Sequence, residues 1–259
     1  MSAVALYAKA SPDFAEKLAE TTELLRRASA EFTPLTQASS LGAEDMVITH
    51  LLTQLDLDCS VFVLDTGVLH AQTVELIGRI ELHYNRKVEV FRPAPGSAEA
   101  FVAANGAEAM YQSIELRKAC CGIRKLEPLG RALAGQKGWL TGLRREQSQA
   151  RADVEFIEIE NAGTPTERAK INPLARWTAG DVWHFIGLNT VPYNPLHDAF
   201  FPSIGCAPCT RAVTLGEDIR SGRWWWEQAS AKECGLHVAS DLASVNPHLS
   251  SVIPSKAPA

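Results

Sequence analysis

Residues 59–67 read CSVFVLDTG and residues 71–84 read AQTVELIGRIELHY. The first is a short unbroken apolar run closed by a turn signal, as expected of a parallel strand buried on both faces. The second is the helix that follows it. Downstream, KVEVF (87–91), GWLTG (138–142) and DVEFIEI (153–159) read as further strands, and TAGDVWHFIGL (178–188) as a helix capped by Thr178. Upstream, SPDFAEKLAETTELLRRASAEF (11–32) is a helix with Ser11 as N-cap and Pro12 at the first helical position. Its Phe14, Leu18 and Leu25 recur at helical spacing. Strands alternating with helices predict an α/β fold, a parallel sheet with helices on both faces. The pattern weakens beyond Arg223, where Pro247, Pro254 and Pro258 break up a polar tail. The expected organisation is one domain over residues 1–223 and a mobile C-terminal segment over 224–259.

Composition bounds the function. The chain has 259 residues, enough for a substantial core, with 46% hydrophobic and 21% charged residues. A net charge of −5 argues against a nucleic-acid or anionic-membrane surface as the main business. No stretch approaches the roughly 18 apolar residues of a membrane helix. The start, MSAVALYAKASPDF, lacks the basic region and long apolar core of a secretory leader. A cytoplasmic, reducing compartment is expected, where the six cysteines would not form a disulfide framework. Cys59 opens an apolar run and reads as a small core residue.

Ligands of such folds bind beyond the carboxyl ends of the strands. Two loops qualify. ASSLGAEDM (38–46) is either a phosphate-holding turn backed by a helix N-terminus or an ordinary capped helix start. LDTGVLH (64–70) puts Asp65 and Thr66 directly after the buried strand, where polar groups can contact a nucleoside, though Asp-Thr-Gly is also a plain turn.

Four cysteines demand a chemical account. Cys120 and Cys121 are adjacent, and Cys206 and Cys209 form a C-x-x-C pair. Four thiolates are the usual complement of a 4Fe-4S cluster, and neighbouring thiolates can bind different metals of one cluster. An all-cysteine zinc site is the competitor, although its cysteine pairs are usually separated by two to four residues. A thioredoxin-like redox pair leaves Cys120 and Cys121 idle. Lys118, Arg124, Lys125, Arg144, Arg145, Arg211, Arg220 and Arg223 flank these motifs, so an acidic protein gathers its cations beside them. That suits a small, densely charged anion; the alternative is a set of solvated helix faces.

SLGAED, LDTGVLH, KACCGIRKLEPL, TGLRREQS, GCAPCTRA, GEDIRSGRWWWE and KECGLH together resemble the adenylyl-sulfate reductases of assimilatory sulfate reduction, within the wider phosphoadenylyl-sulfate reductase family. The resemblance runs from about residue 38 to residue 237. It implies an ATP-pyrophosphatase-like nucleotide-binding fold with a catalytic cysteine on a mobile tail. Cys234, left in the polar stretch SAKECGLHVAS, is then the nucleophile. Its thiolate attacks the sulfur of adenylyl sulfate, expels AMP and leaves an S-sulfocysteine. A thiol donor, thioredoxin by resemblance, then releases sulfite, in the service of cysteine biosynthesis.

The resemblance assigns Lys125, Arg220 and Arg223 to the charge on the substrate, with Arg144 and Arg145 as helpers. It matches Ser39, Ser40 and Gly42 to the phosphate loop and Asp65, Thr66 and Gly67 to the nucleoside loop. Glu233 disfavours a thiolate at Cys234, so activation falls to the closed site, with His237 orienting the tail. Thiols supply both electrons, which leaves the cluster a charge-tuning and positioning role beside Lys125. Two departures stand out: Leu41 occupies the first glycine of the S-G-G-x-D-S run of ATP-cleaving relatives, and Glu44 and Asp45 replace its Asp-Ser pair.

Three rivals remain. 3′-Phosphoadenylyl sulfate keeps the chemistry and changes the substrate; family members that use it tend to lack the four cluster cysteines. An ATP-dependent tRNA-thiolating enzyme with a cluster is opposed by the missing S-G-G-x-D-S run and the acidic charge. A metal-binding redox sensor leaves the nucleotide loops and Cys234 unexplained. The sequence leaves both a monomer and a homo-oligomer open, and it does not say whether Trp224 to Trp226 pack inside or meet a partner.

Overall fold

The computed structural model of the protein describes residues 1–227. Cys234 and His237, and nearly all of the segment expected at 224–259, lie outside those residues. Strands β1 (Leu35–Ser39), β2 (Ser60–Leu64), β3 (Val88–Phe91), β4 (Gly138–Leu140), β5 (Ile157–Glu160) and β6 (Arg168–Ile171) form one six-stranded sheet in the order β3-β2-β1-β4-β6-β5. Every neighbouring pair is parallel except β5 and β6, which run antiparallel at one edge.

Helices cover both faces. Alternation along β2 sends Val61 and Val63 to one face and Phe62 to the other. Val61 and Val63 join the large core built with α2 (Phe14–Glu31), α3 (Ala43–Gln54), α4 (Ala71–Tyr84) and α8 (Ala179–Asn189). Phe62 packs with Trp139 and with Leu129 and Ala132 of α7 (Glu127–Ala132). Each large aliphatic or aromatic side chain so buried contributes about 1.5–3 kcal/mol. The short α1 (Ala3–Tyr7), with α5 (Ser97–Asn105) and α6 (Ile114–Cys121), completes the set. Among the described residues no helix is long and apolar enough to cross a membrane.

The strand order sets where a ligand goes. The chain runs β1, β2, β3 in one direction across the sheet, then returns to place β4 on the other side of β1. A crevice therefore opens between the loops that leave β1 and β4, the usual ligand position in such sheets.

Two boundaries and two strands differ from the sequence reading. The cap of α2 is Asp13, not Ser11; Ser11 instead donates its amide to Asp181 Oδ1 (2.7 Å) and accepts from Lys17 Nζ (3.0 Å), so it fastens α2 to α8. The strand expected at 153–159 starts only at Ile157, because Val154 and Glu155 give their carbonyls to Arg145 and Asn172. β1 and β6 were not legible. Thr178 does cap α8, in a reciprocal box with Asp181.

Candidate active site

The loop leaving β1 is held from within. Ser40 donates both its amide (2.7 Å) and its hydroxyl (2.6 Å) to Asp45 Oδ2, the Leu41 amide donates to Ser39 Oγ (3.2 Å), and the Gly42 amide to Ser40 Oγ (3.3 Å). The amides expected to cradle a phosphate are thus turned onto the loop's own side chains. Leu41, at the position of the relatives' first glycine, takes a left-handed backbone (φ 61°) while its side chain is fully buried. Burial pushes the Asp45 carboxyl up to about 6, against the hydrogen bonds from Ser40. Across the crevice, Gly142 leaves no room for a side chain: a Cβ there would stand 2.5 Å from Asp45 Oδ1.

Arg144, expected as a cation for the substrate, is pinned. It is 3% exposed and donates to Glu44 (2.9 Å), Glu146 (3.0 Å) and the Trp177 carbonyl (3.3 Å). Its charge is spent on closing the β4 loop onto the β1 loop, and Gln147 adds a further bond to Glu44 (3.1 Å). Arg145 turns outward to Val154, Glu155 and the Phe156 ring, away from the crevice. Neither residue offers a free cation to an anion here.

The loop leaving β2 builds a second compartment. Asp65 accepts from Arg92 Nε (3.0 Å) and from the Gly67 amide (3.0 Å), so its carboxylate shapes the turn. Thr66 is buried, with its hydroxyl 3.3 Å from Cys206 Sγ. Leu69 pairs with Cys206 as an antiparallel bridge, and the Ala207 amide donates to the Val68 carbonyl (2.8 Å). The loop after β2 is therefore stitched to the C-x-x-C segment. On the far side, α6 ends at Cys121 and continues as a π-helical turn, Gly122–Leu126, before α7. That wider turn carries Arg124, whose Nη1 donates to the Thr66 carbonyl (2.6 Å), and Lys125.

The pair Cys120 and Cys121 and the pair Cys206 and Cys209, separated by a long stretch of sequence, thereby line one small pocket of about 20 Å³. Val68, Arg117, Arg124, Lys125 and Trp224 are also on its wall. Burial pushes the Cys209 thiol up to about 12, with Cys206 adding to it and Lys125 and Arg223 opposing. Burial also raises Cys120, against Arg124 and Lys125. Among the described residues no three His, Cys, Asp or Glu side chains converge as ligands of one ion. Cys59, by contrast, lies in the main core as expected.

A cavity of about 360 Å³ occupies the crevice. Ser39, Ser40, Gly42 and Thr66 line it on the loop side, and Lys125, Arg220 and Arg223 are cations on its wall. Lys125 and Trp224 border both the cavity and the thiol pocket. Arg223 is 8% exposed; its Nη1 donates to the Ile204 carbonyl (3.2 Å), and among the described residues no carboxylate pairs with it. Its Nε has no hydrogen-bond partner among them. A buried guanidinium without a counter-charge, on a cavity wall, is a built site for an anion. Asp65 and Gly67 lie behind this lining, outside it.

Sequence reasoning missed two contributors. Gly205 holds the seat of Arg223, since a Cβ there would lie 2.4 Å from the guanidinium; the only signal was a glycine beside Cys206. His197 lines the cavity floor, 4% exposed, with both ring nitrogens lacking a partner among the described residues and burial holding its pKa down. Nothing in the sequence marks it.

Residues 34–212 match the phosphoadenosine phosphosulfate reductase domain. The chain is 50% identical over 219 residues to the adenosine 5′-phosphosulfate reductase of Allochromatium vinosum, covering 85% of this chain and 84% of that protein. It is 46% identical over 230 residues to the enzyme of the same name from Burkholderia cepacia, covering 89% and 91%. Among solved structures, a phosphoadenylyl-sulfate reductase from Candida auris in complex with phosphate superposes with a TM-score of 0.62 at 27% identity, covering 77% of this chain and 97% of that one. The FMN adenylyltransferase of Candida glabrata shares the fold alone, at TM-score 0.54 and 14% identity, covering 93% and 87%.

Proposed function

This chain belongs to the phosphoadenosine phosphosulfate reductase family, and from that premise we propose that it reduces adenylyl sulfate (adenosine 5′-phosphosulfate) to sulfite and AMP. The observation that carries the reading is the cation wall of the cavity, Lys125, Arg220 and Arg223, set beside a four-thiol pocket at the switch point of the sheet. The cavity receives the nucleotide with its sulfate toward that wall. Cys234 attacks the sulfur as a thiolate, forming an S–S bond while the S–O bond to the phosphate breaks and AMP leaves with the electron pair. Arg223 and its neighbours offset the repulsion between two anions and the charge growing on the phosphate. A dithiol of the thioredoxin type then attacks Cys234; it is oxidised to a disulfide, and sulfite leaves as the two-electron-reduced product.

Cys120, Cys121, Cys206 and Cys209 fit a 4Fe-4S cluster. All four residues line one pocket, four thiolates are the usual complement of such a cluster, and among the described residues no three side chains converge on one ion as zinc requires. A cluster bound there supplies fixed charge beside Lys125 and ties three loops together, while thiols supply both electrons. A cytoplasmic setting follows from free thiols and a reducing donor.

The test is anaerobic intact-mass spectrometry after mixing the protein with equal adenylyl sulfate and 3′-phosphoadenylyl sulfate carrying distinct sulfur isotopes. A sulfonate on Cys234 bearing the adenylyl-sulfate label is expected. The other label moves the substrate to the 3′-phosphorylated nucleotide, and no adduct on cluster-loaded protein overturns the reading.

A further inference from the structure

Arg117 and Glu227 form a forked ion pair in the interior. Arg117 Nε reaches Glu227 Oε1 at 2.9 Å and Nη2 reaches Oε2 at 2.8 Å, with side chains 1% and 4% exposed. Burying such a pair costs desolvation that its attraction roughly recovers, so stability alone is a weak reason for it; fixing a register is the better-attested use. Its position is informative. Arg117 lies on α6 one turn before Cys120 and lines the thiol pocket. Glu227 closes the described chain, and Cys234 follows it by only seven residues. Seven residues span at most roughly 25 Å, so the place where that stretch begins limits where its thiol can go.

Trp224 connects the pair to the cavity. The Arg117 guanidinium stands 5.0 Å from the Trp224 ring and that of Arg223 stands 4.6 Å from it. Trp224 is 2% exposed, and its backbone takes a left-handed conformation (φ 41°) that a bulky residue keeps only when its surroundings impose it. Its amide donates to the Cys209 carbonyl (3.3 Å), and the Glu227 amide donates back to the Trp224 carbonyl (2.9 Å). Arg223 itself is kept in place independently, by Ile204 and by the space at Gly205.

We propose that Arg117 and Glu227 are positioning residues that anchor the root of the Cys234 segment to the cysteine-bearing helix, and so set the rate of sulfur transfer without setting nucleotide affinity. This rests on the function proposed above. Arg117 borders the thiol pocket, so the test uses Glu227 in anaerobic, cluster-loaded protein. Two quantities are read: the single-turnover rate at which Cys234 gains a sulfonate from adenylyl sulfate, and the calorimetric affinity for AMP. In Glu227→Gln the rate is expected to fall on the order of ten- to a hundred-fold while AMP affinity stays within about two-fold; Glu227→Asp recovers part of the rate. Parallel losses of rate and affinity, or an unchanged rate in Glu227→Gln, overturn the proposal. If Glu227→Gln does not fold, the same comparison in Glu227→Asp decides. A wild-type protein that forms no adduct defeats the function itself, whereas a wild-type adduct with unaffected variants defeats only the anchor.

Discussion

Arg223 shows how a cavity residue depends on a neighbour with no side chain. Its guanidinium fills the space in which a Cβ at residue 205 would sit. Gly205→Ala should therefore displace a flexible side-chain end at little cost in stability. The expected result is a melting temperature close to wild type and a sulfonation rate lower on the order of ten- to a hundred-fold. Leu41 carries the opposite compromise. A left-handed leucine backbone costs about 1–2 kcal/mol, offset by about 1.5–3 kcal/mol from burying the side chain completely. Asp45, beside it, makes the loop pH-sensitive. Its folded pKa of about 6 lies above its ordinary 3.8, so between those values the folded state holds a proton that the unfolded chain releases. Its contribution to stability thus rises as pH falls through 6 and is complete below 3.8. Measured by denaturant unfolding, wild type should gain up to about 3 kcal/mol on Asp45→Asn between pH 8 and pH 4.

At the scale of elements, α8 is fastened by one carboxylate. Asp181 accepts from the Ser11 and Thr178 amides and from Lys17, and its pKa is held down to about 2, these bonds outweighing its burial. The sign is the reverse of Asp45: this stability is fully present above 3.8 and is lost as pH falls through 2. Asp181→Ala should cost about 1.5–3 kcal/mol in unfolding free energy at pH 7, because it unpairs the Ser11 and Thr178 amides and leaves Lys17 with Asp13 as its remaining carboxylate partner. The elements legible in the sequence were those with an apolar or capped pattern: β2, β3, β4, α2, α4 and α8, with β5 placed too early. β1 was hidden because its interior includes Gln37, fully buried yet satisfied by the Asp45 carbonyl (2.8 Å) and the Thr49 hydroxyl (2.9 Å). β6 was hidden because Arg168 and Lys170 read as surface charges; cross-strand Glu160 and Glu158 pair with them instead. The π turn after Cys121 has no sequence signature, though it brings Arg124 to Thr66.

For the whole molecule, the cysteines, the cations and the two loops were legible as types, whereas their grouping was not. Composition could not say that Arg144 is neutralised by Glu44 and Glu146, nor that Arg145 faces away. The thiol pocket joins the β2 loop, α6 and the C-x-x-C segment, so a cluster held there as proposed would fasten all three together. On the proposed cluster, anaerobic treatment with an iron chelator should lower the melting temperature by several degrees and expose backbone amides of residues 203–227 to hydrogen exchange, with α2 and α3 unchanged. The composite origin of that pocket also has a consequence for synthesis. Cys206 lies 85 residues after Cys121. At about 5–20 residues per second, a ribosome makes that stretch in roughly 4–17 s. Through that interval the nascent polypeptide presents two vicinal thiols with neither Cys206 nor Cys209 yet translated. Loading of the proposed cluster would thus be a late event on the growing chain, with Cys120 and Cys121 most open to oxidants before Cys206 and Cys209 have been made.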